Sequence, residues 1–288
     1  MTTFDLHQHL WPDAFVDALR ARAELPSLRG NVLTTPEGSF ELDLRVHDPE
    51  HRIGMLDRDG VDVAVFSLQP TLGSELLPPA EREELELAWV EGMRSLTAES
   101  GGRFRAFAPA RVLDGFAGTS VGASVLLDPE RHASLLAEVD GAAGILFVHP
   151  EAEDAVPPGR PEWWNWAAGY ASQMQRVYLA WLADGRERLP AVRIVFSILA
   201  GGAPFLLERL SHRGVEVRSA LDPGVYFDTA THGRRAIELC IETFGAPQLV
   251  YGSDIPVVDA EFTLRAVRGF GDAVARILQI DTPGALLS

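Results

Sequence analysis

Short apolar runs alternate with amphipathic helical stretches along the whole chain. Eight of these runs are rich in β-branched or aromatic residues and are bounded by Gly, Pro or Asp, which is typical of buried parallel strands. We expect strands at residues 3–10, 61–69, 104–111, 120–127, 144–149, 193–200, 224–231 and 248–254. Because helical stretches separate the runs, the pattern predicts one (β/α)8 barrel of the TIM type as a single domain over residues 1–288.

Capping residues mark the ends of several predicted helices. Asp48 is a candidate N-cap, Pro49 suits the first helical position, and Gly60 suits the end of the same helix. A long helical stretch at 161–185 has a glycine, Gly185, at its predicted end.

Residues 21–47 interrupt the alternation of strand and helix. The sequence "GNVLTTPEGSFELDL" predicts a small hairpin, with a Pro-Glu-Gly turn between two extended runs. Because this hairpin falls in the first strand-to-helix connection, we expect it on the C-terminal rim of the barrel. A second long rim loop follows the fifth strand at 149–161. Together the two loops predict a covered pocket.

Composition narrows the classes of partner. The net charge is −16 and no cluster of basic residues is present, which argues against nucleic acid and anionic membrane as partners. No apolar run reaches the roughly 18 residues of a membrane span, and the first residues lack the pattern of a secretory signal. The single cysteine, Cys240, fits a reducing compartment. We therefore expect a cytoplasmic protein that acts on a small molecule.

Four residues at predicted strand ends could hold a metal ion. His7 and His9 are two positions apart in the first strand, so their side chains point to the same face. His149 closes the fifth strand and Asp254 closes the eighth. Three imidazoles and one carboxylate suit one Zn²⁺ ion first, and also Mn²⁺ or Fe²⁺ with added waters.

These features resemble the amidohydrolase superfamily, in particular the amidohydrolase 2 branch of aminocarboxymuconate-semialdehyde decarboxylase. The matching motifs occur in the expected order as "HQHLWP", "MLDRDGVDVAVFS", "FVHP", "LAGGAPFLLERL", "YFDT" and "VYGSDIPV". The resemblance implies a distorted (β/α)8 barrel with a catalytic metal, usually one ion. Carried over by position, the family's metal ligands are His7, His9, His149 and Asp254. Asp254 also matches the residue that handles a proton.

The end of the sixth strand departs from the family pattern. The family usually has His, one residue and then Gly-Gly, whereas this chain has "SILAGGAP". Gly201 and Gly202 fix the register, so Leu199 stands where the histidine would be. A leucine can neither bind a metal nor transfer a proton. The fourth strand offers no bridging Lys or Glu, so we expect one metal rather than two.

Without that histidine, metal-dependent hydrolysis is the expected activity. A metal lowers the pKa of bound water to roughly 7, and Asp254 would accept the proton and return it to the leaving group of a small ester, lactone or amide. The first alternative is a metal-dependent, non-oxidative decarboxylase (a C–C lyase) of an aromatic or unsaturated carboxylic acid. Two others stay open: a catalytically impaired binding protein, suggested by Leu199, and a metal-independent lactonase.

Three further side chains are candidate substrate contacts. Trp11 follows the histidine pair and would wall the pocket. Arg111 ends the third strand and would meet a substrate carboxylate, although a structural role suits it equally. His232 follows the seventh strand and would replace the missing histidine in space, or else simply begin a helix. Because family members are often dimers, a homodimer also stays open.

Overall fold

The computed structural model describes residues 1–288. Its strands are β1 (Phe4–Gln8), β2 (Ser27–Arg29), β3 (Val32–Thr35), β4 (Gly38–Glu41), β5 (Val63–Phe66), β6 (Phe104–Pro109), β7 (Gly118–Gly122), β8 (Ile145–His149), β9 (Arg193–Phe196), β10 (Val225–Asp228) and β11 (Leu249–Val250). Strand β1 and strands β5 to β11 form one parallel eight-stranded sheet in chain order. Backbone hydrogen bonds from Leu6 N to Tyr251 O (2.9 Å) and from His9 N to Ile255 O (2.7 Å) join its two ends. The predicted TIM-type barrel is confirmed.

Helices surround the barrel. The α-helices are α1 (Asp13–Ala21), α2 (Pro49–Asp59), α3 (Pro79–Glu99), α4 (Ser124–Leu127), α5 (Ala133–Gly141), α6 (Tyr170–Ala180), α7 (Arg186–Arg188), α8 (Ala203–His212), α9 (Arg234–Phe244), α10 (Ala260–Arg268), α11 (Asp272–Arg276) and α12 (Thr282–Leu286). Three π-helical turns lie at Asn165–Gly169, Trp181–Gly185 and Ile277–Asp281. Short 3₁₀ helices lie at Leu44–His47, Pro70–Leu72, Ser74–Leu76, Ile198–Gly201, Arg218–Leu221 and Ala246–Gln248. None of these helices combines the length and apolar character that crossing a bilayer requires.

The apolar core has two layers, as parallel strands buried on both faces require. Inside the barrel, side chains such as Leu6, Phe107 and Phe147 pack together at its centre. Residues on the other face, such as Phe66 and Phe196, pack against the helices. Filling both layers fixes the strands, and therefore the position of the side chains at their C-terminal ends.

Several predicted boundaries differ from the structure; the run 193–200, for example, is a strand only to Phe196. Two of these differences have a clear physical cause. The run 120–127 is not one strand, because β7 ends at Gly122 and α4 begins at Ser124. There the Glu151 carboxylate accepts hydrogen bonds from Ser124 N (3.1 Å) and Ser124 Oγ (2.6 Å), and so favours a helix start. Gly185 does not end its helix, which continues to Arg188. A Cβ at Gly185 would lie 2.5 Å from the Trp181 ring, so this glycine provides space for packing.

The hairpin predicted within 21–47 is present. Strands β3 and β4 pair antiparallel with Thr35 opposite Gly38, and the Pro-Glu-Gly turn lies between them. A further strand, β2, pairs with β3 and makes a three-stranded sheet. The tip of this hairpin insertion contacts Gly73 after β5 and Glu153 after β8, so it lies on the rim at the C-terminal ends of the strands.

Candidate active site

Four side chains of metal-ligand type converge at the C-terminal end of the barrel. The cluster consists of His7, His9, His149 and Asp254, all buried, with one ligand atom from each within 4.8 Å of the others. The Nε2 atoms of His7 and His9 are 3.2 Å apart, and His9 Nε2 lies 3.1 Å from Asp254 Oδ1. The structure therefore brings together all four residues that the strand ends predicted. We call them the four-residue centre.

Each imidazole of the centre is oriented through its Nδ1 atom. The acceptors are Asp228 Oδ2 for His7 (2.7 Å), Ser67 O for His9 (2.9 Å) and Pro150 O for His149 (2.8 Å). Because Nδ1 donates in each of these bonds, Nε2 is the ring atom that faces the centre. This is the orientation in which imidazole binds a metal through Nε2. At His7, whose pKa is about 9, a bound cation would displace the Nε2 proton.

Asp254 completes the centre with a partly unsatisfied carboxylate. Its backbone is left-handed (φ 67°), and its N–H donates to His7 O at 2.8 Å. Its Oδ1 atom is buried and has no hydrogen-bond donor. A buried carboxylate oxygen without a partner is costly. A divalent cation beside Asp254 Oδ1 and the three Nε2 atoms would supply the missing partner, so the residues present fit a metal ion.

Charges inside the centre perturb its titration. Burial would lower the pKa of His7, but the carboxylates of Asp228 and Asp254 outweigh it and raise this pKa to about 9. Burial lowers the pKa of His9, and lowers that of His149 well below its usual value. Burial would raise the pKa of Asp254, but the neighbouring imidazoles outweigh burial and lower it. The carboxylate of Asp254 is therefore ionised at neutral pH.

Asp228 supports the centre, although no role could be predicted for it beyond its place in the "YFDT" motif. Besides the bond from His7, its Oδ1 accepts hydrogen bonds from Ile198 N and Ala230 N, both at 2.9 Å. One carboxylate thus joins the ends of three strands. Gly252 is a second supporting residue, because a Cβ there would lie 2.7 Å from His7 Cβ.

Leu199 is buried in an unusual stretch of backbone. Ile198, Leu199 and Ala200 all have left-handed φ angles (46°, 51° and 50°). Leu199 and His232 line one cavity of about 500 Å³ between α6, α8 and α9. His232 Nδ1 bonds Ala230 O at 2.7 Å, and its ring has no contact with the four-residue centre. His232 therefore shares a cavity with Leu199, which stands at the place of the missing histidine, but makes no hydrogen bond to the centre.

Arg111 is held by glutamates. Its guanidinium bonds Glu83 at 3.1 Å and Glu86 at 2.7 Å. The buried Glu86 carboxylate also accepts from Arg82 at 2.7 Å. With its charge engaged in this way, Arg111 has a structural role, and no contact joins it to the four-residue centre.

Trp11 is buried behind the histidine pair. Its ring stacks on His47 with centroids 4.5 Å apart, and its Nε1 donates to Gln69 Oε1 at 2.8 Å. Burial lowers the pKa of His47 to about 3, so His47 is neutral and its Nδ1 accepts from Trp11 N at 3.2 Å. Trp11 thus fixes the start of the rim loop against the end of the hairpin insertion.

The tip of the hairpin insertion reaches across the rim. Pro36 packs against Gly73 after β5, where a Cβ would lie 2.8 Å from Pro36 Cγ. Glu37 Oε1 accepts from Glu153 N at 2.7 Å, and both oxygens of Glu37 lie 2.7 Å from Tyr170 Oη. The two long loops predicted to cover the pocket therefore meet each other.

Comparison with known proteins places these features in context. The family model described as "Amidohydrolase" matches residues 4–276. The chain is 23% identical over 256 residues to a 2-amino-3-carboxymuconate-6-semialdehyde decarboxylase of Dictyostelium discoideum, covering 76% of this chain and 70% of that protein. It superposes on apo IDCase of Metarhizium anisopliae with a TM-score of 0.80 at 18% identity, over 99% of this chain and 97% of that one. A dihydroxybenzoic acid decarboxylase of Polaromonas, bound to manganese and the inhibitor 2-nitroresorcinol, gives a TM-score of 0.73 at 15% identity, with 99% and 96% covered. At these identities the structural likenesses establish the fold.

Proposed function

Because the chain belongs to the amidohydrolase family of enzymes, we propose that it is a metal-dependent decarboxylase of a small aromatic or unsaturated carboxylic acid. The observation that carries this proposal is the convergence of three Nε2 atoms and one unsatisfied carboxylate oxygen in the barrel mouth. The sequence alone favoured a hydrolase. The named activities of the relative and of the manganese-bound neighbour are decarboxylations, and they favour the alternative.

The four-residue centre would hold one divalent ion. When bound, such an ion acts as a Lewis acid toward a substrate oxygen. Three nitrogens and one oxygen suit zinc, manganese or iron. Zinc stays a prediction from the sequence, and manganese is the ion in one structural neighbour. A cytoplasmic location also stays a prediction.

Asp254 is the residue we assign to proton handling. Decarboxylation breaks one C–C bond and releases CO2, and the electron pair left on carbon takes up a proton to form C–H. Asp254 is ionised at neutral pH because the neighbouring imidazoles lower its pKa. It can therefore accept a proton from a substrate hydroxyl or from water and return it to that carbon. Leu199 has no proton to offer, so this task falls on Asp254.

Release of CO2 tests the proposal. Metal-loaded protein is incubated with a panel that includes 2-hydroxybenzoate and 2,6-dihydroxybenzoate, and with esters and lactones in parallel. We expect CO2 from at least one acid, and a loss of about 100-fold or more in kcat for Asp254→Asn. The control Asp140→Asn changes a carboxylate that accepts from Ala191 N and Val192 N, at the opposite end of the barrel. Acid release from an ester or lactone without CO2 from any acid would instead establish the hydrolase.

A further inference from the structure

The tip of the hairpin insertion holds a carboxylate in a fixed position in the cover of the site. Glu37 accepts hydrogen bonds from the Tyr170 hydroxyl on α6 and from Glu153 N in the loop after β8, and these two bonds fix the position of its carboxylate. Burial raises the pKa of Glu37, and these two hydrogen bonds to the ionised form counteract that effect.

Tyr170 holds this tip through a hydrogen bond to Glu37. Burial raises the pKa of Tyr170, and so do the carboxylates of Glu37 and Asp254. Tyr170 therefore stays protonated and donates, and Glu37 stays the acceptor. The tip lies on the rim that carries the centre, because Glu153, whose N–H donates to Glu37, follows His149 of the centre by four residues.

Other carboxylates are packed into the same rim. A Cβ at Gly122 would lie 2.0 Å from Glu151 Oε1, and one at Gly169 would lie 2.6 Å from Glu153 Cδ. These two glycines leave the room that the Glu151 and Glu153 side chains occupy. The acidic groups of the rim are therefore held by packing rather than freely solvated.

The ion pairs of this rim involve Arg82 and Arg111 but neither Glu37 nor Glu153, and the exposed Arg160 of the rim loop stacks on the Trp164 ring at 4.4 Å. The sequence contains no lysine. Arg111 and Arg82 are bound to glutamates, and the buried Arg52 donates to Gln8 Oε1 and Val46 O. Neither the carboxylates at the tip nor the four-residue centre thus has an arginine as an ion-pair partner.

We propose that the site accepts monocarboxylic acids and rejects dicarboxylic acids, with Glu37 as the specificity-determining residue. This inference rests on the proposed function, because the one carboxylate accepted is the one lost as CO2. The cation of the centre would bind that carboxylate. A second carboxylate would face Glu37 and Glu153 without a counter-charge, and like charges brought together in a covered site repel strongly.

Binding of two matched acids tests this inference. Calorimetric titration of metal-loaded protein compares 2-hydroxybenzoate with 4-hydroxyisophthalate, which is the same ring with one more carboxylate. We expect wild type to bind the monoacid about ten-fold more tightly or better. Glu37→Gln keeps the hydrogen-bond acceptor but removes the charge. We expect this variant to bind the diacid more tightly, so that the ratio of the two dissociation constants falls by about three-fold or more. Glu41→Gln is the control, because Glu41 is exposed on β4 of the same hairpin insertion.

Three outcomes would overturn the inference. Equal affinities for the two acids, with CO2 still released from a monoacid, would overturn it and leave the proposed function intact. An unchanged ratio in Glu37→Gln, with metal content equal to wild type, would remove Glu37 as the determinant. If metal-loaded protein binds neither acid and releases no CO2 from the panel, the proposed function fails and the inference fails with it.

Discussion

At the scale of single residues, Asp228 orients the centre without contributing an atom to it. Asn at this position keeps the size of the side chain but loses the charge and one acceptor, so the His7 ring is less firmly held. Loss of such a partner typically costs about 10- to 100-fold in metal affinity. We expect Asp228→Asn to weaken metal binding by this amount in a competition titration with a chromophoric chelator. The surface variant Asp140→Asn should bind as wild type does, and equal affinity in Asp228→Asn would remove the orienting role.

The buried carboxyl group of Glu75 makes the stability of the fold depend on pH. Its Oε1 is buried without a hydrogen-bond partner, and burial, with the nearby Glu151 charge, raises its pKa from 4.5 to about 7. The folded state therefore binds this proton more tightly than the unfolded state does, and stability is lost as pH rises from about 4.5 to 7.

Glu75→Gln should remove the loss of stability between about pH 4.5 and 7, because glutamine carries no ionisable group. We expect the variant and wild type to be equally stable near pH 4.5, and the variant to be more stable by about 2 kcal/mol above pH 7. Urea unfolding at a series of pH values measures the difference. The exposed Glu84→Gln on α3 should show no such trend. A difference that is independent of pH would mean that Glu75 does not titrate in this window.

Local strand geometry and family motifs were enough to predict the candidate metal-ligand residues, but not the residue that orients them. His7 and His9 share a face because strand geometry fixes it, and a family motif located Asp254. Asp228 also lies in a family motif, "YFDT", but its role could not be read from it, because its bonds to His7, Ile198 N and Ala230 N depend on how three strands meet across the barrel.

At the scale of elements, the hairpin insertion depends on a close contact at Gly73. Gly73 has φ 77°, and a Cβ there would meet Pro36. Gly73→Ala should displace the tip and release Glu37 from Tyr170, which we expect to detect as faster proteolysis within 30–42. Gly30→Ala is the matched control, because Gly30 also has a positive φ (59°) but no atom within 4 Å of the added Cβ. Both variants should lose about 1 kcal/mol to backbone strain. Equal proteolysis rates would show that the Pro36 contact does not hold the tip.

These two boundary errors arise from side-chain contacts, one distant in sequence and one only four residues away. The run after Gly122 is apolar enough for a strand, but Glu151 from the next unit starts a helix there. Gly185 resembles a helix end, but its position is determined by the Trp181 ring. In contrast, α2 starts and ends as predicted, because Asp48 caps His51 N and Gly60 adopts φ 66°.

At the scale of the whole molecule, the alternating pattern was sufficient to predict the barrel, since each buried strand needs apolar residues on both faces. Closure of the sheet into a barrel could not be predicted in detail from the sequence, because it depends on backbone hydrogen bonds between β1 and residues after β11. The homodimer stays a prediction of the family resemblance. Sedimentation velocity decides it: a species of about twice the 31.4 kDa mass of one chain would support the homodimer, and a species of monomer mass would contradict it.

The central claim is that His7, His9, His149 and Asp254 hold one divalent metal ion. Elemental analysis of the purified, untagged protein tests it most directly, alongside His149→Ala and Asp254→Asn with circular dichroism to confirm that both variants fold. We predict about one equivalent of metal in wild type and a clear loss in both variants. No metal in wild type, even after growth with added zinc or manganese, or full metal content in both folded variants, would contradict the claim.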